Sequence, residues 1–261
     1  MNPIFHVDAF AEKPFEGNPA AVCLLDADRS SEWMQSVAAE MNLSETAFIK
    51  PLKEAYELRW FTPAVEVDLC GHATLASAHI MWSERFVKPG EPIGFHSRSG
   101  VLTCRQAGDI IELDFPATPA AEAKPLPGLL EALGVRPLFV GNSKFDTLVI
   151  VESDETVRRM KPDFNALRNI GTRGVMVSSV STDTRFDFVS RFFAPGAGID
   201  EDPVTGSAHC CLAPFWSQRL GKVQMTAFQA SRRGGVVRMR IDGDRVILGG
   251  RAVTVLRGDL V

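Results

Sequence analysis

A single glutamate stands in an apolar segment of the chain whose residues favour extended structure. Leu43 to Ile49 reads LSETAFI, in which Phe48 and Ile49 are typical core residues and Thr46 favours a strand. Most glutamates in proteins are solvated. Glu45 is therefore either an ordinary residue at the end of a strand or a carboxylate held in an apolar site to move a proton, and its local sequence leaves both interpretations open.

Two glycines begin apolar segments with helical character. Gly71 opens GHATLASAHIMWSER and Gly206 opens GSAHCCLAPFWSQRL. The first N–H groups of a helix lack internal partners and carry partial positive charge, and glycine lets a ligand approach them closely. The pair predicts a binding site for an anion such as a carboxylate. The alternative, that both glycines only form turns, is about equally supported.

Polar residues lie beside both of these predicted helix starts. His72 should have a lowered pKa there, because a helix N-terminus disfavours imidazolium, so the neutral ring should dominate. Ser207 could donate its hydroxyl to a ligand or only cap its helix. Asp202 could face a ligand, whereas Asp200 and Glu201 are interpreted as a solvated acidic loop.

A thiol, Cys70, precedes the first glycine and could act as a base beside a helix N-terminus. A racemase that uses two cysteines needs a matching thiol in the second half, where the aligned residue is Thr205. Cys210 and Cys211 fall later, inside an apolar helix, and are interpreted as small core residues.

Composition excludes several other classes of protein. The chain has 261 residues, 45% hydrophobic residues and a net charge of −4, values typical of a globular protein without a nucleic-acid surface. Its five cysteines and five histidines show no disulfide or metal-ligand spacing, and no nucleotide-binding glycine motif occurs. No apolar run reaches the roughly 20 residues of a membrane span, and the N-terminus does not resemble a signal peptide. We therefore predict a cytoplasmic protein with no metal, no nucleic-acid partner and no membrane partner.

The elements that must position these residues are mostly short, turn-bounded strands. Typical examples are AAVCLL at 20–25, ELRWF at 57–61, DFVSRFF at 187–193 and AVTVLRG at 252–258. Helical patterns are fewer: they are the two glycine-led segments and Ser30 to Met41, which starts with serine caps.

The chain carries an internal repeat on either side of a proline-rich segment, Pro116 to Gly128, which we predict to be a linker. RWFTP at 59–63 recurs as RFFAP at 191–195, and each copy is followed by one glycine-led segment. When the two copies are aligned on their glycines, the second copy has three additional residues before its glycine. In this alignment His72 corresponds to Ser207. This order predicts two similar domains that face each other.

The chain resembles the PhzF-like family, named for the isomerase of phenazine biosynthesis and distantly related to diaminopimelate epimerase. The resemblance rests on VDAFAEKPFEGNPAAV (7–22), NLSETAFI (42–49), RWFTPAVEVDLCGHATLASAH (59–79) and FFAPGAGIDEDPVTGSAHCCLAPFW (192–216). It implies an α+β fold of two similar domains, each a β-barrel-like sheet wrapped around a central helix, as in diaminopimelate epimerase. We assign residues 1–116 to the N-terminal domain, with the final strand 252–261 returning to it, and residues 117–251 to the C-terminal domain.

The resemblance also assigns roles to single residues. The catalytic glutamate of the family maps onto Glu45, with His72 and Asp202 in support. Substrate binding maps onto Ser207, Gly71 and Gly206, and more weakly onto Asn18 of EGNP. The family further implies a homodimer, no cofactor and a small anionic substrate bound between the domains.

The expected activity is an isomerisation by cofactor-free acid/base catalysis. A carboxyl group that is dehydrated when the domains close can exchange a proton near neutral pH. Glu45 would take a proton from an acidified carbon and return it to another carbon. Two alternatives stay open: a racemase or epimerase that uses Cys70, and a non-catalytic protein that binds small molecules on the same fold.

Overall fold

A computed structural model describes residues 2–53 and 55–261, which form two compact units. The first unit contains Met1–Asp114 and Gly249–Val261, and the second contains Phe115–Leu248. We predicted an N-terminal domain of residues 1–116 with 252–261 and a C-terminal domain of residues 117–251. These domain bounds stay a prediction. None of the helices among the described residues is both long enough and apolar enough to cross a membrane.

The described residues of the first unit form mainly strands, with two helices. Its strands are β1 (Asn2–Ala9), β2 (Asn18–Leu24), β3 (Glu45–Pro51), β4 (Tyr56–Phe61), β5 (Glu66–Val67), β6 (Ile93–Ser97), β7 (Gly100–Ala107), β8 (Ile110–Pro116, which runs past the unit boundary) and the final strand β18 (Ala252–Leu260). Its helices are α1 (Ser31–Met41) and α2 (Gly71–Ser83).

These strands pair in the spatial order β18, β1, β2, β3, β4, β6, β7 and β8. The steps from β2 to β3 and from β4 to β6 are parallel, and the others are antiparallel. The short strand β5 pairs with the end of β4 just before α2 begins. The last strand of the chain therefore lies beside the first.

Helix α2 packs against β1, β2, β3 and β18, and it is apolar or small on nearly every side. Ten of its thirteen residues are buried, which is the pattern of a central helix rather than a surface helix. Helix α1 lies over β3 and β4, and Ser30 caps it by accepting a hydrogen bond from the backbone of Trp33. The predicted positions of both helices are confirmed.

The second unit repeats this design with additional short helices. Its strands are β9 (Ala121–Glu122), β10 (Phe139–Asn142), β11 (Thr147–Ile150), β12 (Val175–Val180), β13 (Phe188–Ala194), β14 (Ile199–Asp202), β15 (Gln224–Gln229), β16 (Gly235–Asp242) and β17 (Arg245–Gly250, which runs past the unit boundary). Its helices are α3 (Leu129–Leu133), α4 (Asp154–Arg159), α5 (Phe164–Arg168), a 3₁₀ turn (Pro195–Ala197) and α6 (Gly206–Leu220).

Strand pairing in the second unit follows the same sequence of steps. The spatial order is β9, β10, β11, β12, β13, β15 and β16, with parallel steps from β11 to β12 and from β13 to β15. The short strand β14 pairs with β13 just before α6, as β5 pairs with β4 before α2. Helix α6 is the predicted second glycine-led helix, and it is largely buried.

The repeated motifs also share an ion pair. Arg59 donates two hydrogen bonds to Glu66, at 2.7 and 2.9 Å, and Arg191 donates two to Glu201, at 2.6 and 2.9 Å. The partners are 7 residues apart in the first unit and 10 in the second. This difference of three residues equals the insertion that the sequence alignment requires. Glu201 is therefore a paired structural residue, and its interpretation as part of a solvated loop was wrong.

Candidate functional site

Glu45 is the first residue of β3, where it pairs in register with Ala20 of the parallel strand β2. Its side chain is 14% exposed, so it does not extend into bulk solvent. The nearest charged partner is an imidazole from the start of α2: Nε2 of His72 lies 3.1 Å from Oε2 of Glu45. The fold thus brings together two residues that are 27 positions apart in sequence.

The contact between Glu45 and His72 is close but not aligned as a hydrogen bond. Oε2 and Nε2 are both buried, and neither meets hydrogen-bond geometry with any atom of the described residues. Buried polar atoms are almost always paired in folded proteins. Catalytic hydrogen bonds are often poorly aligned without substrate and become aligned when it binds. The arrangement is typical of a site whose polar atoms act on a ligand.

The other nitrogen of the His72 ring fixes where its proton resides. Nδ1 lies 3.2 Å from the amide nitrogen of Asn18 and 3.5 Å from the sulfur of Cys70. An amide nitrogen can only donate, so Nδ1 accepts in the neutral ring and the proton lies on Nε2. In imidazolium both nitrogens carry hydrogen. In either state, the ring nitrogen nearest Glu45, Nε2, carries a hydrogen.

The pKa of His72 moves in the direction opposite to that predicted from its helix position. Burial favours the neutral ring, but the nearby sulfur of Cys70 and the carboxylate of Glu45 raise the pKa of His72 well above its ordinary value. The prediction of a lowered pKa was wrong because it considered only the helix N-terminus. A neighbouring charge at 3.1 Å has a stronger effect than the partial charge of a helix end.

Cys70 precedes α2 and is buried. Burial and, next, the charge of Glu45 raise the pKa of its thiol. This environment opposes the thiolate that a cysteine base would need. Glu45, Cys70 and His72 nevertheless offer an oxygen, a sulfur and a nitrogen within 4.8 Å of one another, a donor set that a zinc ion accepts. The predicted absence of a metal stays a prediction.

Asp202 lies at the end of β14 in the second unit, in a local hydrogen-bond network. The hydroxyl of Thr205 donates to its carboxylate at 2.5 Å, and the side-chain amide of Gln229 donates to its backbone carbonyl at 2.7 Å. Gln229 also accepts a hydrogen bond from the backbone of Thr205 at 2.9 Å. These bonds fix the turn that leads into α6. The catalytic role of Asp202 stays a prediction.

Ser207 is the second residue of α6, and it is not the residue that caps this helix. Its hydroxyl accepts a hydrogen bond from Nη2 of Arg173 at 3.2 Å. Arg173 in turn donates to both carboxylate oxygens of Asp146, at 2.8 and 2.5 Å. The proposed substrate-binding hydroxyl is therefore held by an arginine whose own position is fixed by a buried carboxylate.

The two glycines begin their helices as predicted. Gly71 is the first residue of α2 and Gly206 is the first residue of α6, and no N-cap side chain bonds to either helix start. Their use as substrate-binding residues stays a prediction. The substrate-binding role predicted for Asn18 also stays a prediction, and the structure shows this residue fully buried beside His72.

Sequence reasoning missed three residues that shape these surroundings, and it did not predict which side chain Asn18 contacts. Gln229, Arg173 and Asp146 come from segments with no recognisable motif, and the contact of Asn18 with His72 spans 54 positions. Only the EGNP motif gave a signal, since it drew attention to Asn18. The remaining contacts depend on strand pairing that no local pattern reveals.

Comparison with known proteins identifies close relatives. Residues 7–258 match the family model described as phenazine biosynthesis-like protein. An uncharacterized isomerase of Halalkalibacterium halodurans is 52% identical over 260 residues, covering 99% of this chain and 98% of that protein. The crystal structure of a PhzF-family phenazine biosynthesis protein from Enterococcus faecalis superposes with a TM-score of 0.95 at 40% identity, covering 100% of this chain and 99% of that one.

A more distant structure supports the fold alone. A probable proline racemase from Agrobacterium radiobacter has a TM-score of 0.65 at 10% identity, covering 100% of this chain and 93% of that one. Together with the close matches, it confirms the predicted fold class, an α+β fold of two similar domains.

Proposed function

Because the chain belongs to the phenazine biosynthesis-like, or PhzF-like, family, we propose that it is an isomerase that moves a proton within a small carboxylate-bearing substrate. Glu45 is the acid and base, and no cofactor takes part. The observation that carries this proposal is the contact between Glu45 and His72, with Oε2 and Nε2 3.1 Å apart and both buried.

The chemistry follows from the two protonation states of one carboxyl group. As a carboxylate, Glu45 takes a proton from a carbon that is acidified by a neighbouring carbonyl or double bond. The electron pair left on that carbon delocalises, and the protonated Glu45 returns its proton to another carbon. The N–H on Nε2 of His72, 3.1 Å from the carboxyl group, becomes aligned with it when substrate binds and then keeps it oriented through both steps. Proton transfer of this kind typically contributes about 10² to 10⁴ in rate.

Asp202 and Ser207 are assigned to the same reaction by the family resemblance, as residues that orient the substrate and bind its carboxylate. A homodimer is also proposed on that resemblance, and a cytoplasmic location stays a prediction made from the sequence pattern. The proposed substrate is an anion, and substituting Ser207 by Ala should raise its KM more than it lowers kcat. Substituting Asp202 by Asn should lower kcat.

A second candidate function uses Cys70. Its sulfur lies 3.5 Å from Nδ1 of His72, which places a thiol beside an imidazole. Such a pair could support a racemase or epimerase. The raised pKa of this thiol and the presence of Thr205 at the matching position of the second unit disfavour it. Full activity in Cys70→Ser would remove this candidate.

The test begins with a screen of small unsaturated and amino-acid-derived carboxylates by thermal shift. Compounds that stabilise the protein are then incubated with it in deuterated water and followed by proton NMR. The proposal expects solvent deuterium at a carbon of the substrate together with a shifted double bond. Binding without exchange for every stabilising compound would contradict it and would favour a non-catalytic binding protein.

A further inference from the structure

Three side chains with different donor atoms meet at the start of α2. Glu45 is the first residue of β3, Cys70 precedes α2, and His72 is the second residue of that helix. An oxygen, a sulfur and a nitrogen from these residues lie within 4.8 Å of one another. Among the residues that the structure describes, no other group of three histidine, cysteine, aspartate or glutamate side chains converges in this way.

The cluster is buried, and two of its polar atoms have no aligned partner. Cys70 is 7% exposed and His72 is 6% exposed. Oε2 of Glu45 and Nε2 of His72 meet hydrogen-bond geometry with no atom of the described residues. Buried polar atoms are almost always paired, so these two point to a ligand. A zinc ion suits them, because its d electrons impose no preferred geometry on its bonds.

The separations between the donor atoms match the size of a zinc ion. Nε2 of His72 lies 3.1 Å from Oε2 of Glu45, and Nδ1 lies 3.5 Å from Sγ of Cys70. Donors that share a tetrahedral zinc ion lie roughly 3.3 to 3.6 Å apart. One ion takes only one ring nitrogen, so one of these two pairs is already near bonding separation. The whole set spans at most 4.8 Å, so closing it around an ion requires movements of about 1 Å.

The charges of the donors also suit a divalent cation. A metal-bound thiol is deprotonated, so zinc takes the place of the thiol proton and of any second proton on the ring. The thiolate and the carboxylate together then balance the two charges of the ion. Within the described chain, His72 is the one charged partner at ion-pair distance from Glu45, so no lysine or arginine competes for the carboxylate. Sulfur and nitrogen donors favour zinc over magnesium or calcium.

The cluster is accessible, and the repeat predicts one such site in each chain. The side chain of Glu45 is 14% exposed, which gives an ion a path of entry. Three protein ligands leave the fourth tetrahedral position to water. In the second unit, Thr205 and Ser207 stand at the positions of Cys70 and His72, so that unit lacks the sulfur and the imidazole.

We propose that Glu45, Cys70 and His72 bind a zinc ion, and that this ion is an inhibitor rather than a cofactor. A carboxylate that is bound to zinc cannot accept a proton from a substrate, so the bound ion stops proton transfer. The sequence predicted no metal because the three ligands have no recognisable spacing, and the site exists only in the folded chain. The inhibition rests on the proposed function, whereas the binding of zinc does not.

The test of binding uses cobalt(II), titrated under nitrogen into the untagged, full-length protein after removal of metals with EDTA. A cobalt–thiolate bond gives a charge-transfer band in the near ultraviolet. We expect this band to saturate at one ion per chain and to disappear when zinc is added, because zinc binds such donors more tightly than cobalt does. The band should be absent in Cys70→Ala. Cys104→Ala, which removes another buried cysteine of the same unit, is the control and should give the full band.

Glu45→Gln tests the carboxylate ligand while leaving the sulfur in place. The change nearly preserves the shape of the side chain, and it should weaken cobalt binding by at least about tenfold. Glu40→Gln, at an exposed position of α1, should bind cobalt as the unchanged protein does. The melting temperature of each variant without metal shows that it is folded. A band in Cys70→Ala, equal affinity in Glu45→Gln and Glu40→Gln, or no band at about 1 mM cobalt would overturn the site.

The inhibition is measured as solvent deuterium exchange into the substrate found by the carboxylate screen. One equivalent of zinc should stop exchange, and EDTA should restore it. Exchange at the full rate with zinc bound would overturn the inhibition. The cobalt titration requires no turnover, so its outcome does not depend on the reaction. Undiminished exchange in Glu45→Gln would instead refute the proposed function and leave the metal site standing.

Discussion

His72 is the residue whose behaviour depends most on its neighbours. Asn18 and Cys70 contact Nδ1, and Glu45 lies 3.1 Å from Nε2. The Asn18 amide nitrogen makes Nδ1 an acceptor, which opposes full protonation of the ring, while Glu45 favours it. The hydrogen on Nε2 is common to both states. Asn18 therefore acts as a positioning residue that keeps this hydrogen on the nitrogen nearest Glu45.

Asn18→Asp tests this balance of charges. A carboxylate 3.2 Å from Nδ1 replaces a donor with an acceptor, so imidazolium should persist to higher pH than in the unchanged protein. The measurement is the titration of the His72 ring signals by NMR. Asn165→Asp, an exposed position on α5, is the control and should leave the titration unchanged. A His72 titration that does not move in Asn18→Asp would contradict the assigned contact.

At the scale of elements, the repeat preserves an ion pair as well as a strand order. Arg191 and Glu201 have side chains that are 11% and 18% exposed, and Arg59 and Glu66 are similarly shielded. Each arginine also lies over the ring of the phenylalanine two residues later. In each unit the ion pair joins a short strand, β5 or β14, to its longer neighbour, β4 or β13. The glycine-led helix begins just after the short strand.

Arg191→Met should lower the free energy of unfolding by about 2 kcal/mol or more, because it leaves the shielded carboxylate of Glu201 without its partner. The measurement is urea unfolding followed by circular dichroism. Arg159→Met removes an exposed ion pair with Glu155 and should change stability by less than about 0.5 kcal/mol. Equal effects of the two substitutions would show that the repeated pair is not structural.

Helix α6 contains a buried histidine that makes stability depend on pH. His209 donates from Nδ1 to the carbonyl of Thr205 at 2.8 Å and stacks on Phe188. Burial lowers its pKa to about 4, so the folded protein keeps the ring neutral where the unfolded chain, near 6.5, takes up a proton. Stability should therefore fall as pH decreases from 6.5 to 4, by at most on the order of 3 kcal/mol from this group.

The melting temperature of His209→Gln, measured between pH 7 and pH 4, checks this effect. The variant should be less stable at pH 7, because it loses the stacking on Phe188, but its melting temperature should fall less steeply with decreasing pH. His96→Gln, an exposed position on β6, is the control. If the melting temperature falls equally steeply with decreasing pH in His209→Gln and in the unchanged protein, the buried ring of His209 is not kept neutral and the prediction is wrong.

At the scale of the whole molecule, the sequence allowed the fold class, the duplication and the three longest helices to be predicted. These features have strong local signals: caps, helical spacing and repeated motifs. The short strands β5, β9 and β14 were missed, because two to four residues carry little periodicity. The linker predicted at Pro116–Gly128 contains β9, which pairs with β10 and is therefore part of the sheet.

The candidate site could be predicted only in part. Glu45 and His72 were placed together by resemblance, since the parallel step from β2 to β3 that positions Glu45 has no local signature. The pKa of His72 was predicted in the wrong direction, because the helix was visible in the sequence and the facing carboxylate was not. Arg173 and Asp146 were missed because the loops that carry them match no motif.

The central claim is that a single carboxyl group, Glu45, carries the proton. The most direct measurement is the rate at which solvent deuterium enters the substrate found by the carboxylate screen, compared between the unchanged protein and Glu45→Gln. Glu40→Gln, the same substitution at an exposed position of α1, is the control. The account predicts a rate about 10² to 10⁴ lower in Glu45→Gln, with Glu40→Gln unaffected and substrate binding retained. Deuterium incorporation at the full rate in Glu45→Gln would contradict it.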